Sequence, residues 1–254
     1  MRILGKKRSV RFNDNDLTQF MAVERIHRPM MAGRSNEWSS PLGGTRYQQH
    51  RRSQTEPYKV IIEGTIFGNS AEDVRVKASN LAHKVVSDRP AELITDDTGR
   101  YEMAILDGSV DTSDVQGKIK KVKLTFLVND GASRSPSIEV SGSTGTNSVV
   151  NNPGQLPTPF TALLTFTAAK SSGFSMVLGS RFVRVLKPLP INSQLLIDTE
   201  KELVLYRANA TASWQDWRVN LDFLSDFMDL EPGANTVELQ TGVQHTITFT
   251  PRWR

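Results

Sequence analysis

Residues 230–254, LEPGANTVELQTGVQHTITFTPRWR, carry the clearest fold signal in the sequence. Pro232-Gly233 is typical of a turn, because proline presets φ at the first turn position and glycine accepts a positive φ. Two runs follow in which apolar and polar residues alternate, separated by Thr241-Gly242. Alternation with a period of two around a short glycine turn predicts a β-hairpin with one face in a core. Pro251 cannot donate to a strand ladder, so the last strand is predicted to stop there.

The preceding residues extend the β pattern through the second half of the chain. Short apolar or alternating runs recur between turn signals, and no helical period interrupts them. This succession predicts an antiparallel sandwich or jelly roll. The predicted strands are 160–168, 174–178, 181–186, 194–198, 202–207, 217–223, 235–240 and 243–250.

The first half is predicted to combine strands with one helix. Ser70 can cap a helix whose apolar residues recur at spacings of three and four up to Val86. Strands are predicted at 9–12, 19–26, 58–66, 91–95, 101–107 and 117–128. From Asn129 to Pro159 the composition shifts to Ser, Gly, Asn and Pro, which indicates a junction between domains. The sequence therefore predicts two domains, 1–135 and 136–254.

Composition limits the functions that the chain can have. Its 254 residues can bury a substantial core. It contains no cysteine, which excludes disulfides, thiolate metal sites and cysteine nucleophiles. No apolar run reaches the roughly 18 residues of a membrane-spanning helix. The first residues are basic but lack the apolar region of a signal peptide, which predicts a protein kept in a cytoplasm until it is used.

Residues 28–57 show little hydrophobic period and contain Gly43-Gly44. A segment of this length without a strand or helix pattern is usually functional or disordered. We predict an extended hairpin or arm that becomes ordered against a partner. The candidate inter-subunit contacts are Arg34, Trp38, Arg46, Tyr47, Arg51 and Arg52.

Residues 1–52 are strongly basic, with eleven Lys or Arg against four acids. Such a segment can attract nucleic acid or an acidic protein surface. It can equally be a solvated surface, since no RNA-binding signature and no stacking array of aromatic residues accompanies the charge. Nucleic-acid binding thus remains one hypothesis.

The sequence offers no catalytic, cofactor or metal site. The four histidines (His27, His50, His83 and His245) are not paired at metal-ligand spacing. No nucleophile, zinc or phosphate-loop motif occurs. We therefore predict a protein that is not an enzyme and that uses no cofactor.

One cluster of aromatic and charged residues suggests ligand binding. Trp214, Asp216, Trp217 and Arg218 lie within five positions. Exposed tryptophans can stack on sugar rings, so a carbohydrate or partner contact is conceivable. The alternative is that one tryptophan packs in the core and the other covers a sheet edge or subunit contact.

Four segments together carry a family resemblance: Asn151–Gly154 (NNPG), Leu195–Asp198 (LLID), Leu230–Asn235 (LEPGAN) and Phe249–Trp253 (FTPRW). Their order and the chain length resemble the distal tail (Dit) protein family of siphophages, the long, flexible-tailed bacteriophages. In that family an N-G segment opens the C-terminal domain, and an L-x-I-D strand end lies in the middle of it. An L-x-P-G-x-N segment precedes a closing hairpin with a P-R-W tail.

The resemblance implies a specific fold and assembly. The N-terminal domain would be a split β-barrel with one flanking helix, similar to tail tube proteins, and would form a homohexameric ring. The C-terminal domain would be a galectin-like antiparallel β-sandwich at the ring periphery. The galectin sugar-binding pattern is absent, so lectin function does not follow from this shape.

The resemblance also implies a location and partners. The ring would be a hub at the tail tip or baseplate of the virion, after assembly in the host cytoplasm. It would join the tail tube protein to the tail-associated protein, with receptor-binding and tape measure proteins nearby and DNA only in transit. It would not enter a membrane. A carbohydrate-binding module acting in host recognition is the alternative.

Overall fold

The computed structural model describes residues 9–29, 34–39, 49–95, 99–112, 117–143 and 147–253. The chain divides into two compact units between Arg134 and Ser135. Both are built mainly from antiparallel strands, so the prediction of a mainly β protein is confirmed. Within the described ranges, no helix has the length and hydrophobicity needed to span a membrane.

The N-terminal unit contains one extended antiparallel sheet and a separate hairpin. Its described strands are β1 (Arg11–Phe12), β2 (Asn15–Asp16), β3 (Ala22–His27), β4 (Arg34–Ser39), β5 (Gln49–Thr55), β6 (Tyr58–Phe67), β7 (Ala91–Ile94), β8 (Tyr101–Leu106), β9 (Asp111–Thr112) and β10 (Ile119–Arg134). The sheet order is β2-β1-β7-β8-β10-β6-β3, with β9 also paired to β10. Among the described strands, β4 and β5 pair with each other and with no third strand.

The helix α1 (Ala71–Val85) forms as the sequence predicts. The Ser70 hydroxyl accepts a hydrogen bond from the Asp73 backbone N–H at 3.1 Å, which satisfies one of the free donors of the first turn. Bonds from the Asn69 backbone N–H and then from Lys77 lower the pKa of Asp73. The face that carries Val74 and Leu81 is fully buried against the sheet.

Strand β10 continues beyond the predicted 117–128. The register against β8 shifts between Val128 and Ser133, which marks a β-bulge. Gly131 has a φ of 62° there, a conformation that costs glycine little. Because the bulge absorbs the polar residues after Val128, the strand reaches Arg134 despite a composition that resembles a linker.

The C-terminal unit contains two facing antiparallel sheets. Its described strands are β11 (Ile138–Gly142), β12 (Ser148–Asn152), β13 (Phe160–Phe166), β14 (Phe174–Leu178), β15 (Arg181–Val185), β16 (Gln194–Asp198), β17 (Leu203–Arg207), β18 (Gln215–Asp216), β19 (Gly233–Leu239), β20 (Val243–Phe249) and β21 (Arg252–Trp253). The larger sheet has the order β11-β20-β13-β16-β17-β18, and the smaller has β12-β19-β14-β15.

The two sheets share a single core, which makes this unit a β-sandwich. Phe166 of the larger sheet meets Phe174 of the smaller edge to face, with ring centroids 5.3 Å apart. Along β13 every second side chain is buried, as expected for a strand with one solvent face. The predicted antiparallel sandwich is thus confirmed.

The prediction of a hairpin in residues 235–250 is wrong. β19 pairs with β12 and β14, whereas β20 pairs with β11 and β13. The two strands therefore lie in opposite sheets. Val237 and Val243 are both buried in the shared core. Alternation reports only which side chains face the core, and consecutive strands on either side of a sandwich show the same pattern as a hairpin.

The strand predicted at 217–223 is also wrong. A short 3-10 helix occupies Arg218–Asn220, followed by a loop. The carboxylate of Asp216 accepts the backbone N–H of Arg218 at 3.0 Å, and that of Asp222 accepts the N–H of Leu224 at 3.0 Å. These side chains bond the local backbone in turns, which competes with a strand ladder.

Candidate functional site

The four motif segments meet at one end of the sandwich. Thr158 and Leu230 exchange two backbone hydrogen bonds of 3.0 and 2.8 Å. The carbonyl of Arg252 accepts the N–H groups of Gln155 and Leu156 at 2.8 and 3.2 Å. The Thr199 hydroxyl accepts the N–H of Phe160 at 2.9 Å. We call this region the end clasp; it comprises residues 151–160, 198–200, 230–235 and 249–253.

Asn152 is the central polar side chain of the end clasp and is 1% exposed. Its amide nitrogen donates to the carbonyl of Leu230 at 2.9 Å and to two acceptors in residues 156–158 at 3.2 Å. Its amide oxygen accepts the N–H of Gly154 at 2.9 Å. One side chain thus joins the NNPG segment to the LEPGAN segment.

Asn235 makes the reciprocal connection. Its amide nitrogen donates to the carbonyls of Glu231 at 2.7 Å, Gly233 at 2.9 Å and Val150 at 3.4 Å. Its amide oxygen accepts the Glu231 N–H at 2.9 Å. The two asparagines therefore bond backbone groups of both segments and hold the two turns together.

The FTPRW segment closes the end clasp through Arg252. A Cβ at Gly154 would lie 2.6 Å from the carbonyl oxygen of Arg252, so only glycine allows the two backbones to approach this closely. The guanidinium of Arg252 bonds the carboxylate of Glu200 at 2.6 Å. The close backbone approach therefore explains Gly154, and the bond to Glu200 gives Arg252 a structural role.

The polar side chains of the end clasp hold backbone segments together. Its asparagine amides and threonine hydroxyls are hydrogen-bonded to the backbone, which leaves them engaged rather than poised for proton transfer or nucleophilic attack. Within the ranges that the structure describes, no three His, Asp or Glu side chains cluster where they could hold a metal ion. Sequence reasoning identified these segments as family markers but not their mutual contacts.

The tryptophan cluster is divided between core and surface. Trp217 is 7% exposed and stacks on Tyr206, with ring centroids 3.8 Å apart. Trp214 is 36% exposed, and the Arg207 guanidinium lies 4.3 Å from the centroid of its ring. The two tryptophans therefore do not form one stacking platform.

The structure does bring Asp216 and Arg218 together. The guanidinium donates to both carboxylate oxygens of Asp216, with a shortest distance of 2.6 Å. These bonds lower the pKa of the Asp216 carboxyl and raise the pKa of Arg218. Both side chains are about half exposed, and their main polar atoms are used in this pair.

Sequence reasoning missed a polar row on the solvent face of the larger sheet. Gln194 donates to the Thr165 hydroxyl at 2.9 Å and accepts from Arg207 Nε at 2.6 Å. A shallow depression lies beside this row and is lined by Ser141, Gly142, Ser143, Leu163, Thr165, Gln244, His245 and Thr246. The sequence did contain a signal for this row, because its residues occupy the polar positions of the alternating strand pattern.

The predicted arm contains the β4–β5 hairpin. By register, Arg34 lies opposite Thr55 and Glu37 opposite Arg52. Trp38 lies opposite His50. The register shift between Glu37 and Trp38 makes Arg51 the extra residue of β5 at this point. Arg46 and Tyr47 lie outside the described residues.

A buried carboxylate connects the two residues that flank this segment. Glu102 of β8 is 2% exposed and bonds Arg28 Nη1 at 2.9 Å. It also hydrogen-bonds the Tyr58 phenol; burial first, and then the charge of Glu102, raises the pKa of Tyr58. Arg28 follows β3 and Tyr58 begins β6, so Glu102 contacts the residues on both sides of the segment 29–57.

His245 of β20 predicts a pH effect on the stability of the C-terminal unit. It is 5% exposed, and burial lowers its pKa. Its Nε2 has no hydrogen-bond partner among the described residues. The folded state therefore binds a proton less readily than the unfolded chain, whose histidine pKa is about 6.5. The contribution of His245 to the stability of the folded unit is therefore fully present above that pH, and it is lost as the pH falls below it.

We expect urea unfolding of the C-terminal unit to show this loss, with a slope of at most about 1.4 kcal/mol per pH unit. The variant His245→Phe should remove that part of the slope. His83→Phe is the matched control, because His83 is exposed on α1. An unchanged slope in His245→Phe would contradict the assignment.

Comparison with known proteins agrees with the motif placement. The sequence pattern of the family described as siphovirus-type tail component, C-terminal domain, matches residues 153–253. This range includes three of the four motif segments and part of the fourth. No curated protein sequence matches the chain.

Two solved structures share the fold. The first is the crystal structure of SPP1 Dit (gp 19.1), described as a paradigm of the hub adsorption apparatus in phages that infect Gram-positive bacteria. Its TM-score is 0.81 at 19% sequence identity, with coverage of 98% of this chain and 100% of that chain. The second is the phage p2 baseplate in its activated conformation with Sr, with a TM-score of 0.51, 11% identity, and coverage of 95% and 97%.

At these identities the structural likeness shows the fold, while the family pattern supplies the sequence evidence. The resemblance to distal tail proteins is confirmed for the part of the chain that the pattern covers, since residues 153–253 match the siphovirus-type tail component, C-terminal domain.

Proposed function

We propose that the protein is a structural hub at the tip of a siphophage tail. The observation that carries this proposal is the fold match to SPP1 Dit over 98% of the chain, together with the family pattern in the C-terminal unit. In this role the N-terminal unit forms a homohexameric ring around a channel for DNA and the tape measure protein. The ring joins the tail tube to the tail-associated protein, after assembly in the host cytoplasm.

The domain roles follow from this proposal. The N-terminal unit, taken as residues 1–135, forms the ring, and the arm at residues 28–57 contacts a neighbouring subunit. The C-terminal unit, taken as residues 136–254, is a galectin-like mount for adhesion proteins. A ring contact is supported by Phe67 and Ile119, a cross-strand pair that is 55% and 45% exposed.

Mounting is better supported for the C-terminal unit than sugar binding through its tryptophans. Trp217 is buried, and the nearby Asp216 and Arg218 bond each other. A lectin site needs an accessible ring face and polar groups directed toward sugar hydroxyls. The carbohydrate alternative predicts glycan binding that Trp214→Ala abolishes, whereas a mounting domain gives no signal on a glycan array.

Native mass spectrometry and negative-stain microscopy of the purified chain test the ring. We expect hexameric rings, either alone or after addition of the tail tube protein. In particles, gold-labelled antibodies against the chain should mark the tail tip. A chain that stays monomeric with its neighbours present, and that is absent from the tail tip, would contradict the proposed function.

A further inference from the structure

A histidine lies on the core-facing side of the larger sheet of the C-terminal unit. His245 of β20 is 5% exposed and lies between Val243 and Ile247, which are both buried in the shared core. In the sheet register it has Gly142 of β11 on one side and Leu164 of β13 on the other. Histidine is the side chain whose charge most readily changes near neutral pH, so a histidine in a core can respond to acid.

The imidazole ring packs directly against the backbone of β11. A Cβ at Gly142 would lie 2.4 Å from Cε1 and 2.6 Å from Nε2 of His245, so no side chain separates the ring from that strand. Nε2 is buried and has no hydrogen-bond partner among the described residues. A protonated ring would therefore hold a charge and an N–H group against Gly142 without an acceptor, which is strongly unfavourable.

The elements around His245 offer no charge that could stabilise a protonated ring. On the strands β11, β12, β13, β19 and β20 and in the segment after β13, the nearest ionisable groups in the described residues are Glu139, Glu238 and Lys170. Both glutamates are exposed, and the lysine bonds the carbonyl of Thr241 just before β20. Residues 143–147 contain no ionisable side chain. Burial is accordingly the cause that lowers the pKa of His245.

Strand β11 is the less buried of the two strands beside His245. It is an edge strand, and among the described strands its ladder is with β20. None of its five residues is buried, whereas β13 buries four side chains. Gly142 ends β11, so opening there leaves the apolar contacts of Ile138 and Val140 with the core in place. Separation at this strand end brings water to the ring with the smallest loss of buried surface.

We propose that β11 is an acid-sensitive edge strand: protonation of His245 releases the Gly142 end of β11 from β20, while the rest of the sandwich stays folded. The charged ring then reaches water, and both of its N–H groups bond solvent. Release also leaves backbone donors and acceptors of β20 unpaired, which creates a free sheet edge in acid that is closed at neutral pH. This device goes beyond the proposed function, and its test does not depend on the partners of the chain.

Native-state hydrogen exchange of the full chain tests the release. Exchange is followed by mass spectrometry at about pH 7.5 and 5.5, and each rate is divided by the intrinsic rate at that pH. We expect the opening constant of the β11 amides to rise by up to about tenfold per pH unit below about 6.5. Low concentrations of urea should leave this constant unchanged, because a local opening exposes little surface, whereas amides between β13 and β16 should follow global unfolding.

Two histidine variants show whether the imidazole causes the effect. His245→Phe should remove the pH dependence of the β11 amides, and His83→Phe should keep it, because His83 is exposed on α1. If His245→Phe does not fold, His245→Leu gives the same comparison. A pH dependence that survives the loss of the imidazole would overturn the proposal. So would β11 amides that exchange only through global unfolding.

Gly142→Ala tests the contact itself at neutral pH. The new methyl group would meet the ring, and Gly142 does not have the positive φ that would strain an alanine backbone. We expect the opening constant of the β11 amides to rise about tenfold or more, the effect of overpacking, with the amides between β13 and β16 unchanged. In the His245→Ala background the methyl group has room, so the same substitution should have a much smaller effect. Equal effects in the two backgrounds would overturn the proposal, because the ring would then not control β11.

Discussion

Replacement of Asn152 by alanine is expected to destabilise the C-terminal unit by about 3 kcal/mol, because its two N–H donors and its amide oxygen each contribute about 1 kcal/mol through hydrogen bonds. The loss also leaves the buried N–H of Gly154 without the acceptor that it now has. Urea unfolding, followed by tryptophan fluorescence from the C-terminal unit, measures the change.

Asn151 provides the matched control. It is the same residue type at the adjacent position, and it is exposed on β12. Asn151→Ala should change the free energy of unfolding by no more than about 0.5 kcal/mol. Equal effects of the two substitutions would show that the hydrogen bonds of Asn152 add no more to the free energy of unfolding than an exposed asparagine does.

Asn152→Asp distinguishes lost hydrogen bonds from lost volume. Aspartate keeps the size and the acceptor toward Gly154 but replaces the donor with a buried negative charge that faces the Leu230 carbonyl. It should therefore destabilise at least as much as alanine at neutral pH. A variant as stable as wild type would rule out the donor role.

The residues of the end clasp also show what the sequence could and could not predict. Three of the four segments were recognisable because their prolines, glycines and asparagines have strong local turn preferences. The contacts between Asn152 and Leu230 span 78 positions, and no local pattern encodes such a pairing. Fold class and strand positions were predictable from alternation, whereas the partner of each strand was not.

The β19–β20 pair is the clearest example of that limit. Both strands alternate correctly and a short turn connects them, yet each belongs to a different sheet. The exposed position of Phe223 escaped prediction for a related reason. Phe223 lies in VNLDFL, where its apolar neighbours predicted a buried strand, whereas the residue is 92% exposed and follows a turn in which Asp222 accepts the Leu224 N–H.

The second large effect is expected in the N-terminal unit. Glu102→Ala removes the carboxylate that contacts both Arg28 and Tyr58. Breaking a fully buried ion pair costs about 3–5 kcal/mol; because Arg28 is 43% exposed, we expect about 2–4 kcal/mol here. Urea unfolding of the N-terminal unit gives this value.

A second measurement tests whether Glu102 positions the segment between its two contacts. If Glu102 fixes the ends of residues 29–57, its loss should speed tryptic cleavage after Arg51 and Arg52 more than cleavage elsewhere in the N-terminal unit. Glu92→Ala is the matched control, since Glu92 is exposed on the neighbouring strand β7.

Glu102→Gln separates charge from shape at the same position. Glutamine can still hydrogen-bond the Tyr58 phenol but cannot form the ion pair with Arg28, so it should lie between wild type and Glu102→Ala in both measurements. If Glu102→Ala destabilises the unit but leaves cleavage after Arg51 and Arg52 unchanged, Glu102 stabilises the sheet without positioning the arm. Faster cleavage at those sites would instead show that the same carboxylate holds the base of the arm, since a general loss of stability accelerates cleavage throughout the unit.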